Sequence, residues 1–413
     1  MKVNIVVHPR TRLSPLTIVL LAMTGVSIGL AVLRYIHGGG AISQVNNAYP
    51  WTFMLSFNLF TGIAISSGAF ILAALVYLFE LEQFRPLLKP ALLTGFLIYI
   101  VEIFTLLVDL GHPERIWYYI IYQNFRSWLF FVGLYVMLYA GVLVVELAPI
   151  VLENTKWHRF ADLIHRFIKP IVITGAVISM LHQASLGGLP LIQSAKLHPL
   201  WWTPWLPVLF LISALAMSLA MMIVVLLVSF RYFHHELDIT LLGKLAAAIP
   251  YLLGIYLVVK FAQLTFAGDL HYLFTSGWMS VLFWSEILIG TIAPIILFSI
   301  KRLRHQPNAL LINSVILLLG MTLNRFNVTM LAIQHANPIT YVPTFMSDVH
   351  YYVSLPEFFV SIGIFAAAIL AFGIAVKYLP IFEDEKHEAL SPREITIRAS
   401  SQQTESVCYV TNE

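Results

Sequence analysis

The chain alternates between long apolar runs and short polar or aromatic breaks, and this rhythm predicts its elements. Crossing the hydrocarbon core of a bilayer takes roughly 20 apolar residues in a helix. Runs of that length cover 15–36, 52–79, 87–110, 127–150, 167–188, 205–230, 241–264, 277–300, 309–333 and 353–379. Strands in lipid would show as shorter alternating segments, so the expected fold is an all-α polytopic membrane protein of about ten helices. The run from Pro15 to Ile36 follows Arg10 and Arg12 and exceeds a normal signal-peptide core, so it is expected to be a permanent first span. Beyond Lys377 the sequence turns polar and loses its apolar period; such a segment cannot bury enough surface to order itself. The expected division is an N-terminus of 1–14, a transmembrane unit of 15–379 and a flexible tail of 380–413.

Composition supports the same class. Hydrophobic residues make up 59% of the 413 and charged residues only 11%, against roughly a quarter charged in soluble domains. The net charge of +3 is small, but its distribution is informative. Alternating the spans places 18 of the 24 Lys and Arg on the side of the termini, among them Arg85, Lys169, Arg231, Lys244 and Arg302. Arg34, Arg115, Arg126 and Lys196 fall on the other side, and Lys260 and Arg325 lie within spans. By the positive-inside rule both termini are expected on the cytoplasmic side, and the expected location is a bacterial or archaeal cytoplasmic membrane. Lipid, not nucleic acid, is the expected surrounding. The opposite loops are rich in Trp, Tyr and Pro, as at 117–119, 199–205 and 338–352. They form an aromatic belt or a docking surface for a partner.

Ionisable groups inside a membrane are costly and call for a partner or a role. Glu102, Thr105, Asp109 and His112 are spaced 3, 4 and 3 along one face of the third span. The fifth span carries His182 between Ser179 and Ser185. Asn58, Lys260, Glu286, Asn324, Arg325, Asn327 and Glu357 come from five other spans. Glu102 and Glu286 read as deep, the others as lying nearer the non-cytoplasmic surface, so the expected polar site opens outward. Each group also has a plainer reading: Lys260 and Arg325 as structural partners of Glu102 or Glu286, the asparagines as interhelical hydrogen bonds, and His182 as a satisfied core histidine. Gathered at similar depth, they suit a quinone, whose reduction takes up two electrons and two protons. Histidine and carboxylates can exchange those protons, with Asp109, His182 and Glu102 as proton-exchanging groups and Asn58, His112, Arg325, Glu286 and Lys260 as binding groups. Protons could enter from outside through Asp109 and His112, or from inside through Glu102, Tyr99 and Thr94.

Haem and metal centres are not expected. A membrane b haem takes two facing histidines, whereas only His182 lies well inside a span and His112 sits at an edge. The single cysteine, Cys408, excludes an iron–sulfur cluster held by this chain's cysteines alone.

The segment from Phe104 to Trp117, with Asp109-Leu110-Gly111-His112-Pro113 at its centre, resembles the helix-end signature of the NrfD/polysulfide-reductase membrane-subunit family. His112 stands where many members have arginine. Leu181 to Gly187 and Leu323 to Asn327 resemble its HybB-type branch, which serves membrane-bound nickel–iron hydrogenases. The resemblance runs over the second to tenth spans. It implies two four-helix bundles with flanking helices, and a quinone (menaquinone or ubiquinone) bound near the extracytoplasmic face. It also implies a docked iron–sulfur subunit with a hydrogenase or other redox catalytic subunit; the route that protons take would decide whether turnover also translocates them. The competing reading is a proton-coupled secondary transporter. Such folds carry broken helices near the midplane, whereas glycine and proline here concentrate near helix ends.

Overall fold

The computed structural model describes residues 14–45, 49, 51–152, 157–193, 196–235, 237–333 and 351–382. Among the described residues ten helices are long and apolar enough to cross a membrane: α1 Pro15–His37, α2 Leu55–Tyr77, α3 Glu82–Asp109, α4 Trp128–Leu152 and α5 Ile168–Gln193, then α6 Leu206–Phe233, α7 Ile239–Ala267, α8 Trp278–Ser299, α9 Pro307–Leu331 and α10 Leu355–Tyr378. No strand occurs among the described residues. Residues 1–13, most of the 338–352 loop and the predicted tail from 383 onward lie outside them.

Neighbours in sequence pack as neighbours in space, and the contacts close two rings. Helices α2 to α5 form one four-helix bundle and α6 to α9 a second. The two share a wall where α6 lies against α2 and α5. Helices α1 and α10 pair with each other and lean on α3. Ser27 of α1 donates to the Val360 carbonyl of α10 at 3.0 Å, a cross-helix bond that satisfies a buried hydroxyl. Small residues bring helices close in the second bundle: a Cβ on Gly320 would lie 2.2 Å from the Gly290 Cα. Only glycine at both positions lets the α8 and α9 backbones touch.

The loops sort by side. Lys169 reaches Glu80 at 2.7 Å and Lys244 reaches Gln83 at 2.6 Å. Phe382 packs on Phe230 and His235. The α2–α3, α4–α5 and α6–α7 turns therefore share one basic end with the chain beyond α10. At the other end Arg34 donates to the Leu110 carbonyl and His198 packs edge-on against Tyr272 at 5.3 Å. The charge asymmetry of the sequence is thus an asymmetry of the folded molecule.

Three stretches depart from α geometry. Leu55–Gly62, Leu288–Ile292 and Asn327–Leu331 are π-helical. Each lies beside a buried polar cluster, and π turns often mark functional places in helices because they re-aim side chains. Helix α5 also runs five residues past its predicted end, as a 3₁₀ turn to Gln193. This lengthening puts His182 near the middle of the span, deeper than the sequence placed it.

Candidate functional site

At the aromatic end of the first bundle a cavity of about 320 Å³ opens between α2, α3, α4 and α5. Its walls are mostly apolar, from Leu55, Ile103, Leu106 and Val132, with Trp51 and Tyr119 at the rim. Asp109, the last residue of α3, contributes the carboxylate. Its Oδ1 accepts a 2.7 Å hydrogen bond from Thr52, whose hydroxyl in turn accepts the Leu55 amide at 2.9 Å. Arg34 of α1, buried although charged, donates to the Asp109 and Leu110 carbonyls and covers the exposed end of α3. Those carbonyls lack intrahelical partners, and a guanidinium there also complements the helix dipole. Burial pushes the Tyr119 hydroxyl up from its ordinary value, so at the rim it is a neutral donor.

A second support comes from α10. Glu357 is fully buried and its Oε1 accepts from the Phe53 amide at the start of α2 and from Tyr351. A carboxylate at a helix N-terminus satisfies free amides there. Since Thr52 is the adjoining residue, α10 fixes the segment that holds Asp109.

Deeper in the bundle the polar groups continue as a file. Asn58 donates to Thr105 at 2.8 Å. One turn below Thr105, Glu102 is completely buried and neither carboxyl oxygen has a hydrogen-bond partner. Its space exists because residue 62 is glycine: a Cβ there would sit 1.7 Å from Glu102 Oε1. Tyr99 bonds His182 Nδ1 at 2.9 Å and packs against Tyr139, ring centroids 4.6 Å apart. His182 Nε2, the Tyr139 hydroxyl and Ser179 are buried without partners, as are both oxygens of Glu146 on α4. Glu146 lies in the half nearer the basic end, away from the outward-opening site that the sequence predicts. Buried polar atoms are almost always paired by protein or water, and these unpaired ones all lie on α3, α4 and α5 of the first bundle. Gly62→Ala is expected to lose most activity and about 1–3 kcal/mol of stability through overpacking. Adding Glu102→Ala should restore stability but not activity. Thermal unfolding of the four variants of this cycle checks it, and additive losses would refute the contact.

The second bundle is built differently. Glu286 accepts from Trp201 at 2.9 Å, Asn327 at 2.6 Å and Asn324 at 3.1 Å. Arg325 donates to Asn324 at 3.1 Å and Ser213 at 2.8 Å, with its guanidinium 3.8 Å above the Phe210 ring. Lys260 donates to the Leu200 carbonyl at 2.8 Å. Asn324 thus bridges a carboxylate and a guanidinium, as the hydrogen-bond reading of the asparagines has it, while among the described residues no direct ion pair joins Lys260 or Arg325 to Glu286. The network leaves Arg325 Nε and Asn327 Oδ1 without partners but engages both oxygens of Glu286, which suits a stabilising cluster in an apolar bundle.

The eight sequence-predicted residues therefore divide. Asn58, Glu102, Asp109 and His182 line the first bundle from its mouth inward. Lys260, Glu286 and Arg325 belong to the second bundle's network. His112 lies past the end of α3, two-thirds exposed, paired with Glu114 at 2.9 Å; the Glu114 carboxyl is held below its ordinary range by its own backbone amide and by His112. Of the eight, Asp109 alone reaches the cavity wall. Sequence reasoning passed over Glu146, Tyr139, Thr52, Trp201 and Arg34. Glu146 had a signal, an acidic residue in a 25-residue apolar helix; Thr52 and Trp201 had none short of the fold. Among the described residues no cluster of three His, Cys, Asp or Glu could hold a metal ion.

The family model for polysulphide reductase, NrfD, matches residues 41–336, more than half of the chain. The chain belongs to the NrfD family. The NrfD match ends near the close of α9, so both bundles fall within it while α1 and α10 flank it. A protein of Nitratidesulfovibrio vulgaris that carries no functional name is 32% identical over 363 residues, covering 85% of this chain and 90% of the relative. The "Probable Ni/Fe-hydrogenase 2 b-type cytochrome subunit" of Escherichia coli is 28% identical over 371 residues, covering 87% and 92%. The "Menaquinone reductase, integral membrane subunit" of N. vulgaris is 27% identical over 383 residues, covering 86% and 88%. As an NrfD-family chain with ten membrane-length helices, the protein is a multi-pass integral membrane protein.

Proposed function

We propose that this NrfD-family chain is the quinone-reactive membrane subunit of a respiratory redox complex. It would pass electrons between the membrane quinone pool and an extracytoplasmic iron–sulfur or hydrogenase partner docked on the aromatic end. The observation that carries this reading is the ring-sized apolar cavity with one fixed carboxylate, Asp109, in its wall. Apolar walls suit a quinone ring and tail, while one or two placed polar groups orient its carbonyls. The names of the hydrogenase and menaquinone-reductase relatives support the same class. The word cytochrome in the first of them is not carried over: a bis-histidine haem takes two facing histidines, and His182 is the one histidine within the four spans of the first bundle.

In the reductive direction, two electrons arrive from the partner and two protons from this chain's groups, and the quinone leaves as quinol. Asp109 exchanges a proton at the quinone carbonyl, and Tyr119 donates a hydrogen bond at the rim. The file Asn58–Glu102–Tyr99–His182–Tyr139–Glu146 supplies protons from the basic end, which makes turnover electrogenic. The test uses the intact complex in sealed vesicles, reading quinone reduction and proton uptake together. Leu106→Trp, which fills the cavity, is expected to abolish quinone reduction while leaving transfer from the donor to an artificial dye intact. Glu146→Gln is expected to slow proton uptake and quinone turnover in parallel, by about ten-fold or more, at the lower end of what a proton-transfer group contributes. A Leu106→Trp complex that reduces quinone at the normal rate would remove the cavity from the mechanism. Unchanged uptake in Glu146→Gln would remove the path.

A further inference from the structure

A second cavity, of about 400 Å³, lies at the opposite, basic end of the molecule. It opens where the last turn of α6 meets the first turns of α7 and α9. Leu227, Phe230, Ile239 and Leu311 give it apolar walls, and Arg231 and His235 stand at its polar side. The volume falls in the range of small-molecule pockets, about 300–1,000 Å³. It belongs to the second bundle, at the other end of the protein from the Asp109 cavity.

Several observations point to one occupant. The cavity lies at the level of the basic loops, hence at headgroup depth, with its apolar walls continuing toward the acyl region. A recess in that position loses dispersion contacts unless something fills it, and the surrounding solvent is lipid. Its charge then selects which lipid. Arg231 has no hydrogen bond or ion pair among the described residues. The adjoining α8–α9 turn adds Lys301, Arg302 and Arg304, and it packs on the start of α7, where a Cβ on Gly243 would lie 3.1 Å from the Arg304 carbonyl. The nearby described carboxylate, Asp238, is engaged by the Thr240 amide at 2.8 Å and hydroxyl at 2.7 Å, which together hold it below its ordinary range. His235 packs on Phe382 and so closes the side facing the chain beyond α10. A guanidinium with no partner among the described residues, set over an apolar groove, matches a phosphate diester with acyl chains, because the planar fork takes two phosphate oxygens at once.

We propose that this cavity binds one anionic phospholipid from the leaflet on the basic side, with Arg231 on its phosphate and its acyl chains along Leu227, Phe230 and Leu311. The lipid bridges α6, α7 and α9 at their ends and so clamps the second bundle there. The proposal is independent of quinone chemistry.

The test uses the full chain, purified in detergent and stripped of lipid. Phosphatidylglycerol, phosphatidylcholine or inorganic phosphate is titrated in while thermal unfolding is followed, and native mass spectrometry counts retained lipid. Phosphatidylglycerol is expected to raise the unfolding temperature and to remain bound as one molecule, whereas phosphatidylcholine and free phosphate do neither. Arg231→Gln should weaken phosphatidylglycerol about five-fold, the worth of one basic residue at a lipid surface. Leu227→Trp, which fills the groove and keeps the charge, should abolish the shift, and it serves as the deciding variant should Arg231→Gln fail to fold. Equal stabilisation by the two lipids, an equal effect of free phosphate, or an undiminished response in Leu227→Trp would each overturn the proposal.

Discussion

Asp109→Asn is expected to lower quinone turnover by about 100-fold or more, while the protein folds and assembles normally. The substitution preserves shape, and the amide oxygen can still accept the Thr52 hydroxyl that now meets Oδ1 at 2.7 Å. Arg34 keeps its hydrogen bonds because it donates to the backbone carbonyls of residues 109 and 110, not to the carboxylate. What disappears is the exchangeable proton. A positioned acid or base contributes about 10²–10⁴-fold to a reaction of this kind, and no other carboxylate lines that cavity wall. The measurement is steady-state quinone reduction by the reconstituted complex, beside donor-to-dye transfer as a control on assembly. The loss should fall on kcat, since apolar binding of the ring and tail survives. Wild-type turnover in Asp109→Asn would show that the proton comes from elsewhere.

Glu286→Ala is expected to be the most destabilising single substitution discussed, by about 3 kcal/mol or more. It deletes three hydrogen bonds, from Trp201, Asn324 and Asn327. Side-chain hydrogen bonds within membranes average about 0.6 kcal/mol each, so the bonds alone account for about 2 kcal/mol. The remainder is electrostatic: Lys260 and Arg325 are both essentially inaccessible, and removing the carboxylate leaves two buried cations uncompensated. Breaking a buried charge cluster from one side typically costs about 3–5 kcal/mol. Glu286→Gln, which keeps one acceptor and the shape, should fall between wild type and alanine. Unfolding midpoints in a fixed lipid nanodisc distinguish the three, and an alanine variant as stable as wild type would mean the network does not hold the second bundle together.

These two substitutions separate roles that look alike in the sequence. Asp109 and Glu286 are both intramembrane carboxylates, yet one faces a cavity and the other is saturated by neighbours. Glu102 is a third kind, buried and without hydrogen-bond partners beside Gly62. Its environment depends on a glycine from another helix, at a site 40 residues away in the chain.

The number of spans, their order and the basic end were determined by the sequence alone. Each depends on a local quantity, the length of an apolar run or the count of Lys and Arg in a turn, that needs no partner to be evaluated. The intramembrane ionisable residues were likewise visible, because lipid makes every such group exceptional. Which of them stand together was decided by the tertiary structure. The split of the polar residues between two bundles follows from the rings α2–α5 and α6–α9 closing separately. The depth of His182 follows from an added 3₁₀ turn, and the aim of Asn58 and Asn327 from π turns. All of these depend on contacts between residues distant in the chain. A pattern of single positions carries the cost of burying a charge, but only the packed helices say whether a neighbour, a cavity or water meets it.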